Sequence, residues 1–136
     1  MIDPVLQSTF LGRSAGEGTT SDDATASLAI HPTTGDVYVA GHTSSLNFPG
    51  TAGGAQPTIN PNTAGVTDAF VARLNSTLTT LLQATYRGGS SIDFAPAVIV
   101  HPSSGEIYVG GRTSSTDFPQ TAGERSRRAR PAGALS

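Results

Sequence analysis

Apolar side chains fall on both parities of the short segments in this chain. Phe70, Ala72 and Leu74 alternate with Ala69, Val71 and Arg73, and Val37 and Val39 alternate with Tyr38 and Ala40. A strand with one wet face would alternate apolar with polar residues, so this pattern predicts strands covered on both faces. Segments of strand character recur between turn signals at Val5 to Leu11, Ala24 to Ile30, Asp36 to His42, Asp68 to Leu74, Thr80 to Tyr86, Ala95 to Val100 and Glu106 to Arg112. They predict an all-β chain of seven strands and no helix. Between Ile30 and Val37, and again between Val100 and Ile107, a Pro presets φ for a turn and a Gly permits positive φ before the next strand. Each reads as a tight β-hairpin, with Gly35 and Gly105 at positive φ.

The two hairpins belong to a longer self-similarity. His31-Pro32-Thr33-Thr34-Gly35-Asp36-Val37-Tyr38-Val39 returns 70 residues later as His101-Pro102-Ser103-Ser104-Gly105-Glu106-Ile107-Tyr108-Val109, and the match runs on through Phe48-Pro49 with Phe118-Pro119. A fixed period of this kind marks a repeat architecture. One unit holds four strands, Ala24 to Ile30, Asp36 to His42, Asp68 to Leu74 and Thr80 to Tyr86, with a Gly-, Pro- and Thr-rich loop from Phe48 to Val66 between the second and third. Small antiparallel sheets that cover one another on both sides are the blades of a propeller. The expected organisation of residues 1–123 is therefore an orphan strand at 5–11, a full blade at about 24–87 and a half blade at about 94–112. That is fewer than two blades, a fragment of a β-propeller. The orphan strand is placed by Thr9-Phe10-Leu11-Gly12, which matches Thr85-Tyr86-Arg87-Gly88 with six extra residues within Arg13 to Ser21.

Phe10-Leu11-Gly12 with Asp22-Asp23, Tyr86-Arg87-Gly88-Gly89-Ser90 with Asp93, and Thr67-Asp68-Ala69-Phe70-Val71-Ala72-Arg73-Leu74-Asn75 carry a resemblance. Together with Val-Tyr-Val-x-Gly-x-Thr-Ser-Ser-x-x-Phe-Pro, the chain from residue 5 to 123 resembles the bacterial SBBP (seven-bladed β-propeller) repeat family. The resemblance implies a blade of a larger, cell-surface or secreted bacterial protein, and a family without one common activity. The chain departs from the family in placing His31 and His101 where an acidic residue is usual, in the insertion after Gly12, and in leaving the repeat after Gly123.

Composition adds little chemistry. Charged residues make up 13% of the 136, Lys is absent, and Gly and Pro are plentiful, which suits short strands and turns better than exposed helices. Residues 1–123 hold nine acids against four Arg, whereas Glu124 to Ser136 hold one acid and four Arg. The cluster Glu124-Arg125-Ser126-Arg127-Arg128-Ala129-Arg130 has no interleaved aromatics, so 124–136 reads as a disordered basic tail rather than a nucleic-acid or lipid contact. There is no cysteine, which removes disulfides and thiolate chemistry. No stretch has the roughly 20 apolar residues of a membrane span, and Met1 to Gln7 lacks the basic start and apolar run of a signal peptide.

Candidate chemistry meets a plainer explanation at each position. Gly12-Arg13-Ser14-Ala15-Gly16 fits the G-x-S-x-G pattern, but no helix can follow it as a nucleophile elbow requires. His31 and His101 hold the same position of successive units and would not converge on one ion, and His42 becomes Arg112 in the second unit, as a solvated polar slot would. Asp22, Asp23 and Asp93 precede first strands, where carboxylates either collect a weak Ca²⁺ or bond local backbone N–H groups. Phe48-Pro49 and Phe118-Pro119 offer either sugar-stacking faces or packing at a blade edge. Asn75-Ser76-Thr77 is a glycosylation sequon at an expected turn.

The expectation is thus a non-enzymatic structural or interaction module with no catalytic residue, cofactor or metal site. Its expected partners are further blades or a second copy, with a protein or glycan ligand also open, and neither nucleic acid nor a membrane span. The rivals are part of a propeller enzyme, a polysaccharide lyase or hydrolase, and a carbohydrate-binding propeller using the Phe48 to Val66 loop. By the resemblance, the place is outside the cell or on its surface.

Overall fold

The computed structural model describes residues 8–12, 23–60 and 66–119. Among them there is no helix, and the strands are β1 (Asp23–Ile30), β2 (Val37–Thr43), β3 (Asp68–Leu74), β4 (Leu81–Arg87), β5 (Asp93–Val100) and β6 (Ile107–Thr113). The first four form one antiparallel sheet in the order β1-β2-β3-β4, and β5 and β6 pair antiparallel in a second sheet. The six strands expected between Ala24 and Arg112 all form, β3 with the expected ends and the others with ends displaced by at most two residues. The seventh does not form where it can be seen. Of Val5 to Leu11, residues 5–7 lie outside the described residues, and Ser8 to Leu11 are irregular.

Both hairpins close as the turn residues dictate. His31 N donates to Asp36 O at 2.8 Å and Gly35 N to His31 O at 3.0 Å, and the same two bonds recur at the same lengths between His101 and Glu106 and between Gly105 and His101. Gly35 has φ 74° and Gly105 φ 73°, the left-handed region in which a side chain is strained.

A second device also repeats. The β1–β2 register shifts between Thr25 and Ser27, and the β5–β6 register between Phe94 and Ala97, so each first strand is bulged at the same place. Pro96 occupies that bulge in β5, where a missing N–H costs no ladder bond. Opposite the bulge the chains nearly touch: a Cβ on Gly41 would lie 2.0 Å from Ala24 O, and one on Gly111 2.1 Å from Phe94 O.

Two apolar layers hold the molecule together. On the front of the four-stranded sheet, Val37, Val39, Phe70, Leu74 and Tyr86 pack with Phe48 and Ile59 from the β2–β3 loop. That loop turns back over β4: Gly50 O accepts from Ala84 N at 2.8 Å and Gln56 O from Tyr86 N at 3.0 Å, so the outermost strand has no open edge at these residues. On the back of the sheet, Tyr38, Ala40, Ala69 and Val71 pack against Ala95, Val98 and Ile107 of the second sheet. The two sheets therefore stack face to face, and Val98 N donates to Ser27 Oγ across the join at 3.2 Å.

Candidate functional site

The histidines at the hairpins are turn residues. His31 Nδ1 accepts from Thr33 N and Thr34 N at 3.2 Å each, and His101 Nδ1 accepts from Ser103 N at 3.2 Å and Ser104 N at 3.1 Å. The ring nitrogen does what a short acidic side chain does at the head of a turn. The far side of the His31 ring reaches the next hairpin, where a Cβ on Gly105 would lie 2.4 Å from Nε2. His42 is not the solvated slot that its replacement by Arg112 suggests. It is half-buried and stands edge-on to Phe94 of the second sheet, ring centroids 4.7 Å apart, while the Arg112 guanidinium lies 5.2 Å from the centre of the same ring. His42 meets Phe94 across the two sheets, whereas Arg112 meets it from the paired strand.

The carboxylates gather at the opposite rim of the sheets and are held by the chain itself. Asp23 accepts from the hydroxyls of Thr43 and Ser45, the latter at 2.9 Å, and Asp93 Oδ2 accepts from Gly89 N at 2.9 Å and Ser115 Oγ at 2.8 Å. Ser45 and Ser115 are repeat equivalents, so one cradle is built twice. Asp22 lies outside the described residues. Near Asp93 stands Asp68, a residue of the Thr67 to Asn75 stretch for which the sequence suggested no candidate chemistry. It is fully buried; Oδ2 accepts from Gln56 Nε2 at 2.9 Å and Asn60 N at 3.1 Å. Burial, with the nearby charges of Asp93 and Asp117 in support, pushes its pKa up to about 6. Oδ1 of Asp68 and Oδ1 of Asp93 are buried with no hydrogen-bond partner among the described residues. Asp117 is held below the usual carboxylate range by the backbone N–H and hydroxyl of Ser90. Among the described residues, no three His, Cys, Asp or Glu side chains stand close enough together to hold a metal ion.

Other candidates disperse. Phe48 is 3% exposed, stacked at 4.4 Å on Phe70 and fixed by its N–H to the Tyr86 hydroxyl, so its face is closed to a sugar. Phe118 is half-buried with the Arg87 guanidinium 5.8 Å from its ring centre. Asn75 Oδ1 accepts from Thr79 N and Thr80 N, which makes it the head of the β3–β4 turn. Ser14 and the Arg cluster at 124–130 lie outside the described residues.

What remains is surface. On the front of the first sheet an open concavity of about 630 Å³ is lined by Phe10, Leu11, Leu28, Val37, Val39 and Leu74. Phe10 is fully exposed and Leu28 is 60% exposed at its mouth. On the second sheet Ile99, Tyr108 and Val109 are 62, 50 and 46% exposed. Apolar groups this open, on sheets otherwise covered, mark places where another surface belongs. The chain matches no family model and no curated protein.

Proposed function

We propose that the chain is a non-catalytic structural and interaction module, a run of successive β-propeller blades of the SBBP repeat kind, which acts by presenting sheet faces to neighbouring blades outside the cell or on its surface. The observation that carries this reading is the duplication of one packing unit. β5–β6 copy β1–β2 in hairpin histidine, bulge, close glycine and carboxylate cradle, and they stack on the back of the first sheet. Each unit contacting only its neighbour is how repeat proteins build a core. The enzyme reading finds little support in groups already spent on turns, and the glycan reading little in a loop whose Phe48 is buried.

The test is copy number. Chains carrying two, four and seven copies of the unit from residue 24 to residue 93 are expected to melt at rising temperatures, because each added unit contributes one more interface. A melting temperature independent of copy number would refute the reading.

A further inference from the structure

The join between the two sheets uses a back and a front that are different surfaces, and the 70-residue period supplies a second set of each, exposed except at Val37, which belongs to the core of the first sheet. The back of the first sheet offers Ala29, Tyr38 and Ala40 to the join; their equivalents on the second sheet are Ile99, Tyr108 and Gly110. The front of the second sheet offers Ala95, Val98 and Ile107; their equivalents on the first are Thr25, Leu28 and Val37. The buried Ala95 and Val98 show what that front does when covered, and Leu28, 60% exposed beside the concavity, shows it uncovered. The back is reshaped as well, with two alanines at 29 and 40 becoming a large Ile99 and no side chain at Gly110.

The hairpins repeat the same complementarity. His31 lies over Gly105 within the molecule, and the exposed His101 is its counterpart, one period on, for the Gly35 turn of another copy. Edge-to-edge pairing through β4 is obstructed, because the loop from Phe48 to Asn60 bonds Ala84 and Tyr86.

We infer that a second copy of this chain docks head to tail, the front of its first sheet on the back of the second sheet of its neighbour, in the geometry of the internal join. This deepens the proposed function by naming the occupant of the open faces, and rests on that reading only for the stacking of successive units. The contact is weaker than the internal one, since Ala97 replaces Ser27 and the hydrogen bond to the facing strand is lost. It is heterologous, so each pair leaves one front and one back free.

The experiment uses two variants of exposed residues, Leu28→Glu to disable the front and Ile99→Glu to disable the back. Sedimentation of the unaltered chain is expected to show mass rising with concentration, and each variant alone to remain a monomer. Mixed one to one, the variants regain association but stop at two chains, because only one good front meets one good back. Amide spectra of the unaltered chain, recorded over the same concentrations, should shift at Leu28 and Ile99 and provide a readout even if a variant fails to fold. A chain that stays monomeric at millimolar concentration, shifts confined elsewhere, or a mixture that stays monomeric while both variants are folded would overturn the inference. Stability rising with copy number beside a strictly monomeric chain would overturn the docking alone and leave the proposed function standing.

Discussion

Asp68 is the residue whose ionisation the fold opposes most visibly. Its folded pKa is raised, from 3.8 to about 6, so the protonated carboxyl favours the folded chain. That contribution is complete below about pH 4 and lost as pH rises through about 6. Denaturant unfolding is expected to show stability falling by about 3 kcal/mol across this window, and Asp68→Asn should flatten the slope. Asp36, beside the Arg73 guanidinium, and Asp117 have the opposite sign and act below the ordinary carboxylate range, outside that window. Equal slopes in both proteins would contradict the assignment. Gly35 gives a second expectation: at φ 74° a β-branched side chain is strained, so Gly35→Val should cost roughly 1 to 2 kcal/mol. Gly105→Val should cost more in thermal unfolding, because its side chain also meets the His31 ring.

At the scale of elements, the β2–β3 loop is a strap across the outer half of the first sheet. The Tyr86 hydroxyl pins it, donating to Ser45 O at 2.7 Å and accepting from Phe48 N at 2.9 Å in a buried setting. Tyr86→Phe strands both groups and is expected to lower unfolding stability by about 1 to 3 kcal/mol, with faster hydrogen exchange at Ala84 as the sign that the strap has loosened. An unchanged exchange rate there would show that Phe48 and Ile59 hold the loop without the clamp. The hairpins and strands were legible in the sequence because Pro, Gly and the alternation of side chains act within a few residues, and the repeat stated them twice. The strap was not, since Phe48 meets Phe70 and Tyr86 only after the sheet exists. The same holds for Asp68, buried by Gln56 and Asn60 of that strap, and for His42, whose partner Phe94 belongs to the other sheet.

The described residues form two sheets in one stacking direction, with the β4 edge covered by the strap and the two outer faces open. Growth by faces alone keeps every contact between copies equivalent, and whether it ends in a ring or a filament depends on the rotation per unit. The aromatic residues make this layering observable. The chain has no Trp and three Tyr, so the tyrosine band of its near-ultraviolet spectrum belongs to Tyr38 between the sheets, Tyr86 under the strap and Tyr108 on the open back. Burial keeps the Tyr86 hydroxyl protonated beyond the ordinary phenol range. Each layer thus carries its own chromophore, and single Tyr-to-Phe replacements would resolve loosening of the strap, separation of the sheets and covering of the back as three distinct optical signals from one unlabelled chain.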